Sequence, residues 1–292
     1  MRQNYYYFER MGTYFIIVTC RNSEQNIEAV LTSLKNQTLK PAYVIVIDDG
    51  STDKTSEILK KIQANWNNLY IITNPDFGYN IGRVVSNWNK AIKLVQELNL
   101  KETDYHMIST DDTIYEENYA EKIVSYMDGD TKIAIASGNY NDVTAKSPHG
   151  AGRFIRNSFF VSNYGSYPEK MGYESAILHM AKRCGYTYTV LNHVRFNHIR
   201  KLGIDHKFYE FGASMRTLGY HPLFVFGRFI TYFVTGKPIG RKGAINMFYH
   251  YLTYTPKNDG YDSMYDRDFR EFIRKTQCNR IRNILKGKII TT

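Results

Sequence analysis

Residues 43–55 read YVIVIDDGSTDKT: a strand-forming apolar run that stops on two adjacent aspartates, followed by glycine and small polar residues. An apolar, β-branched run of this kind forms a strand covered on both faces. Asp-Asp-Gly-Ser then forms the turn that ends it, with Gly50 at positive φ and Ser51 or Asp53 placed to cap the next helix. Pro41 keeps the preceding helix from running into the strand. Further on, YHMISTDDTIY (105–115) repeats the pattern and stops on Asp111 and Asp112.

Working outward, YFIIVT (14–19) and LYII (69–72) are two more buried strands. Helical spacing of Ile27, Val30, Leu31 and Leu34, with Ser23 as cap, predicts a helix after the first strand. Ile58, Leu59, Ile62 and Trp66 mark a second helix. Val84, Val85, Trp88, Ala91, Ile92 and Val95 mark a third. Ala120, Ile123, Val124 and Met127 mark a fourth. Such alternation predicts an α/β fold: a mostly parallel twisted sheet with helices on both faces. Ligands in such sheets sit beyond the carboxyl ends of the strands, here Thr19–Arg21, Asp48–Asp49, Asn74–Asp76 and Asp111–Asp112.

After residue 130 the pattern loosens. IAIAS (133–137) reads as a strand, NDVTAKSPHGAG (141–152) as a flexible loop and GYESAILHMAKRCGY (172–186) as a helix ending at Gly185. Strands follow near 187–191 and 193–199. The expected organisation is a nucleotide-binding and catalytic domain over 1–200, with a mostly helical, basic and aromatic extension over 201–292.

Of the 292 residues 43% are apolar, ample for a core, so a disordered chain is excluded. The net charge of +10 points to an anionic partner: nucleic acid, a phosphorylated substrate or a membrane surface. No nucleic-acid-binding module accompanies the charge, so nucleic acid is not expected. The 25 tyrosines and 16 phenylalanines serve packing, or stacking on sugars and bases. Cys20, Cys184 and Cys278 are odd in number and show no metal spacing, which suits reduced thiols in a cytoplasmic protein. MRQNYYYFER does not read as a secretory leader, and LFVFGRFITYFV (223–234) is too short to span a bilayer.

Adjacent carboxylates at a strand end repel one another and resist desolvation unless a cation, a basic side chain or a hydrogen-bond donor joins them. Asp111 and Asp112 suit oxygen ligation of Mg²⁺ or Mn²⁺, ions that keep positions open for substrate phosphates. The plain alternative is that Asp112 caps a helix starting near Glu116 and Asp111 is solvated. For Asp49 the alternatives are a turn residue or an acceptor for the imide N–H of a pyrimidine.

TYFIIVTCRNSEQNIEAVLTSLKNQTLKPAYVIVIDDGSTDKT resembles the opening of the family-2 glycosyltransferases. The resemblance continues through GYNIGR (78–83) and STDDTIYEENY (109–119), and fades by about residue 200. It implies a GT-A-type nucleotide-sugar fold, and an inverting, metal-dependent transfer of sugar from a nucleotide-diphosphate donor. A UDP- or dTDP-sugar is the expected donor, and a glycan, polysaccharide or lipid-linked molecule the acceptor. Residue by residue, it implies that Thr19 and Arg21 line the nucleotide pocket, Asp49 contacts the base and Arg83 lies near the phosphates. Asp112 becomes the principal ligand of Mn²⁺ or Mg²⁺. Thr110 stands where the family's D-x-D motif has its first aspartate, which leaves Asp111 to hydrogen-bond ribose or sugar. A non-catalytic sugar-nucleotide or glycan binder on the same fold is the alternative.

In the family an E-D pair opening a helix after a glycine turn supplies the general base. Glu174 fills the first position and Ser175 the second, so the base assignment falls to Glu174; an acidic residue favoured by the helix dipole is the other reading. His198 closes an apolar row with Val194 and Phe196, and is either a further metal ligand or a core histidine. A dinucleotide-dependent oxidoreductase or a nucleotidyltransferase would need a glycine-rich loop after the first strand, where the chain reads CRNSEQN. In the terminal helix Phe269, Phe272, Ile273, Ile281, Ile284 and Leu285 form a stripe among arginines and lysines, among them Lys286 and Lys288. That helix either lies on an anionic membrane, making the protein peripheral on its cytoplasmic face, or packs on the catalytic domain.

Overall fold

The computed structural model describes residues 11–80, 82–140, 145–200, 208–256 and 263–286, without the side chains of Ile284 and Leu285. Ile81, residues 141–144 of the expected loop, and Lys288 lie outside the described residues, as do those two side chains of the terminal stripe. The chain forms two compact units that interleave along the sequence. One takes residues up to 76, 93–162 and 187–198; the other takes 77–92, 163–186 and the residues from 199.

The first unit holds an eight-stranded sheet. The four apolar runs become β1 (Tyr14–Cys20), β2 (Val44–Asp48), β3 (Leu69–Thr73) and β4 (Tyr105–Thr110). The crossovers between them are α1 (Ile27–Lys35), α2 (Thr55–Gln63) and α3 (Arg83–Glu97). β5 (Thr113–Tyr115), α4 (Tyr119–Asp128), β6 (Ile133–Tyr140), β7 (Arg153–Arg156), α5 (Asn157–Asn163) and β8 (Thr187–His198) complete the set. The two strands expected at 187–191 and 193–199 are thus one, because Asn192 and His193 interrupt the apolar pattern without breaking the extended backbone. Strand order is β3-β2-β1-β4-β7-β6-β8-β5. The four strands from β3 to β4 are parallel, while β7 runs antiparallel to β4 and β6, and β5 antiparallel to β8.

Burial explains why unbroken apolar runs were needed. Tyr14, Ile16 and Val18 of β1 pack with Val44, Val46 and Met107 against Leu31 and Leu34 of α1, Leu59 of α2 and Ile123 and Val124 of α4. On the other face Phe15 stacks on Tyr43 and His106, and Phe160 of α5 meets the His106 ring edge-on. His106 is fully buried, with its Nδ1 2.5 Å from Asn157 Oδ1, and burial holds its pKa down to about 4.

The caps differ from expectation. Asn26, Lys54 and Asn118 precede α1, α2 and α4, none using its side chain as a cap. Ser23 takes the Asn26 and Ile27 N–H groups on its carbonyl, so its hydroxyl is released for another task. Ser51 belongs to the turn. Asp53 accepts from Thr55 N–H and Oγ1 one residue ahead of the cap. Asp112 is not the N-cap of α4, which is Asn118, because β5 intervenes before that helix.

The second unit is helical among its described residues: α6 (Tyr173–Arg183), α7 (Tyr209–Thr217), α8 (Pro222–Thr235), α9 (Gly240–Thr253) and α10 (Arg267–Leu285), with the first part of α3. Its core gathers Ala176, Met215, Leu218, Met247, Phe269 and Ile273. Trp88 of α3 lies edge-on to Tyr167 and Tyr173. α7 and α9 cross so closely that a Cβ on Gly212 would lie 2.1 Å from the Met247 carbonyl oxygen. α10 buries Phe269 and Ile273 in the core of this unit, with Phe272 partly buried beside them.

Candidate active site

Register sets the site. Cys20 lies opposite Asp48, Asp48 opposite Thr73, and Thr19 opposite Thr110, so β3, β2, β1 and β4 end level with one another. With neighbouring strands about 4.8 Å apart, the two acidic tips flank the end of β1 at a separation of about 10 Å.

The two aspartates of the first tip have different work. Asp48 is fully buried and accepts from Ser51 N–H at 2.9 Å, from Ser51 Oγ at 2.5 Å and from Ser56 Oγ. It holds the turn. Asp49 accepts from Asn74 Nδ2 at 3.0 Å, and its N–H donates to the Cys20 carbonyl at 2.9 Å. Gly50 has φ +74°, and a Cβ there would stand 2.6 Å from both Asp76 Cα and the Pro75 carbonyl oxygen, so the turn needs glycine on two counts.

Arg21 ties three strand ends together. Its guanidinium donates to the carbonyls of Asp49 and Gly50, the latter at 2.8 Å, and pairs with Asp76 Oδ1 at 2.7 Å. Its backbone N–H donates to Asp111 Oδ2 at 3.3 Å, and the hydroxyl of Ser23 donates to the same oxygen. Nearby loops are laced: Asn22 Oδ1 accepts from Thr52 N–H at 2.8 Å, Glu24 Oε2 from Lys54 N–H at 3.0 Å, and Asp53 Oδ2 from Glu24 N–H at 3.1 Å.

Asp112 faces the other way. Its Oδ1 accepts from Thr110 Oγ1 at 2.6 Å and lies 3.5 Å from His198 Nδ1. Thr113 Oγ1 stands 2.7 Å from Thr110 Oγ1 and 3.3 Å from His198 Nδ1, completing a chain of hydroxyls between aspartate and histidine. The pairing of β5 with β8, which sets Thr113 opposite His198, brings them together. Tyr140 and Phe196 meet the His198 ring edge-on with centroids 5.2 and 5.7 Å away. Behind them burial, with Arg153 and His198, holds His149 down to about 4.

At the end of β1, around Cys20, the carboxylates act together. Burial pushes the Cys20 thiol well up, and Asp111, Asp48, Asp53 and Asp49 push it further. Asp112 and His198, carboxylate and imidazole side by side, form a donor set suited to Mn²⁺ or Mg²⁺. Among the described residues no group of three or more His, Cys, Asp or Glu side chains is placed to hold an ion, so the remaining positions would fall to substrate oxygens and water. Thr19, Arg21, Asp49, Asp111, Asp112 and His198 all stand on the first unit. Arg83, at the start of α3 with its guanidinium bonded to the Gly78 carbonyl, and Glu174, exposed in the first turn of α6, belong to the second.

Ser23, Thr113 and Tyr140 were missed as site residues. Ser23 looked like a cap, and the two others gain their places through a three-residue strand and a sheet register that leave no local signal.

A mixed sheet two of whose parallel strands end on paired aspartates, flanked by helices, is the GT-A architecture of nucleotide-sugar transferases. The chain belongs to that class's family 2: the family described as Glycosyl transferase family 2 matches residues 15–186, more than half of the chain. An uncharacterized glycosyltransferase of Haemophilus influenzae is 32% identical over 135 residues, covering 46% of this chain and 38% of that protein. Poly-beta-1,6-N-acetyl-D-glucosamine synthase of Staphylococcus aureus is 27% identical over 123 residues, 42% of this chain and 27% of the synthase. The chain therefore spans well under half the length of the curated relatives it matches. Among solved structures, S. aureus TarS 1–349 in complex with UDP-GlcNAc superposes with a TM-score of 0.53 at 18% identity, over 70% of this chain and 64% of that one. Mannosyltransferase PcManGT from Pyrobaculum calidifontis, in complex with GDP-Man and Mn²⁺, gives 0.57 at 15% identity, over 84% and 70%.

Proposed function

We propose that this protein is a metal-dependent, inverting glycosyltransferase taking sugar from a UDP- or dTDP-sugar and passing it to a glycan or lipid-linked acceptor on the cytoplasmic side of a membrane. The reading is carried by the juxtaposition of Asp112 and His198 beside the strand end that Asp49 and Asp111 also occupy. A structural neighbour with UDP-GlcNAc supports a pyrimidine donor, and one with GDP-Man and Mn²⁺ supports a nucleotide-diphosphate sugar and the ion.

Asp49, fixed by Asn74, accepts the imide N–H of the pyrimidine, and Thr19 and Arg21 shape the wall beside it. Asp111, steadied by Ser23 and Arg21, accepts from a ribose or sugar hydroxyl. Asp112 and His198 hold the ion, which when bound offsets the charge growing on the departing diphosphate. Arg83 is assigned to the phosphates and Glu174 to the general base on the strength of the family resemblance. The acceptor oxygen bonds to the anomeric carbon, the bond from that carbon to the diphosphate breaks, and the acceptor proton passes to Glu174. A positioned base of this kind contributes about 10²–10⁴ in rate.

Thermal denaturation with a set of nucleotide sugars tests the reading. A pyrimidine donor at about 100 times its Kd is expected to add about 2.7 kcal/mol, in the presence of Mn²⁺ only. Asp112→Asn should remove that dependence, and Glu174→Ala should abolish transfer while sparing donor binding. No stabilisation by any pyrimidine donor overturns the reading.

A further inference from the structure

The side of α8 that faces solvent is apolar. Leu223 is 66% exposed, Phe226 49% and Val234 67%, with Ile230 and Phe233 exposed between them. Positions 223, 226, 230 and 233/234 follow helical spacing, so these side chains form one stripe. The other side of α8 is taken: Val225 is buried in the second unit's core, and Phe229 stacks on Phe248 of α9 at 4.9 Å.

Charge chooses the occupant. From residue 211 to 256 the sequence contains no Asp or Glu, whereas Lys237, Arg241 and Lys242 are exposed where α8 turns into α9. A second copy docked through the same stripe would bring no Asp or Glu from its own 211–256 segment to pair with these cations. Anionic lipid meets both halves of the surface, with acyl chains for the stripe and headgroups for the cations. At 14 residues α8 is about 21 Å long, against about 30 Å of hydrocarbon. No described helix is long and apolar enough to cross a membrane, so α8 would lie in the plane of the interface.

We propose that the exposed stripe of α8, with Lys237, Arg241 and Lys242, docks this protein onto an anionic bilayer. The proposal rests on the transferase reading only for the purpose docking serves, access to a lipid-linked acceptor. It places membrane contact on α8 rather than on α10, whose Phe269 and Ile273 are buried.

The test is co-sedimentation of the full chain with phosphatidylcholine vesicles, with and without phosphatidylglycerol, in the absence of nucleotide and metal. Binding is expected only with phosphatidylglycerol, falling as salt rises. The double substitution Phe226→Ser/Ile230→Ser should weaken it about ten-fold or more. Alanine at Lys237, Arg241 or Lys242 should weaken it about five-fold each. All positions are exposed, and unchanged thermal midpoints will show that the variants fold. Equal binding to both vesicle types, no binding, or substituted proteins that bind like the parent would overturn the proposal. So would a dimer in light scattering that Phe226→Ser/Ile230→Ser dissolves, which assigns the stripe to a second copy. Donor stabilisation measured in solution separates the two readings, because docking can fail while donor binding persists, and the reverse.

Discussion

At the residue scale, Thr110 shows how a departure from the family pattern can be absorbed. Where the family's motif begins with aspartate, a hydroxyl here donates to Asp112 Oδ1 and contacts Thr113, which in turn reaches His198. Thr110 therefore acts as a positioning residue for both candidate ligands. Removing a partner of this kind typically weakens metal affinity 10–100-fold. Thr110→Val, nearly the same shape without the donor, should weaken Mn²⁺ binding about ten-fold in isothermal titration, and Thr110→Ser should restore it. Equal affinity in the valine variant would show that Asp112 keeps its pose unaided.

At the element scale, the turn after β2 concentrates the constraints of the first tip. Gly50 combines positive φ with backbone against its missing Cβ, whereas Gly78, at φ +73°, has open space around it. Alanine at position 50 should cost about 2 kcal/mol or more, and at 78 about 1 kcal/mol, in urea denaturation. Similar losses would mean that the clash is relieved by movement of the β3 end. The same turn shows what the sequence made legible. Buried parallel strands must be apolar throughout, so β1 to β4 and their acidic ends could be read directly, together with the residues that resemblance carried over. β5 has three residues and no periodicity, and its pairing with β8 joins positions 85 apart. Nothing in Thr113 or Tyr140 themselves announces that pairing. Ser23 misled because a serine before a helix has two acceptable fates, and only the position of Asp111 decides between them.

At the scale of the whole molecule, buried histidines set the response to acid. Burial holds His106, and burial with Lys182 and Arg228 holds His179, down to about 4, below the unfolded value near 6.5. Above pH 6.5 both forms of the chain carry these rings neutral. Between 6.5 and 4 only the unfolded chain takes up the protons, so stability falls as pH falls through that window. Each ring should cost on the order of 2 kcal/mol by pH 5. The thermal midpoint is expected to drop between pH 7 and 5, and His106→Gln should flatten the slope; an unchanged slope would remove His106 from this account.

The interleaving of the two units has a practical side. Ala176 of α6 shares its core with Met215 of α7 and Phe269 of α10. Shortening the gene to the segment that carries the family signature would strip α6 of those partners and leave a sticky, half-built remnant. Dissecting this protein by truncation is thus a poor strategy; point changes in the 292-residue chain are the cleaner tool.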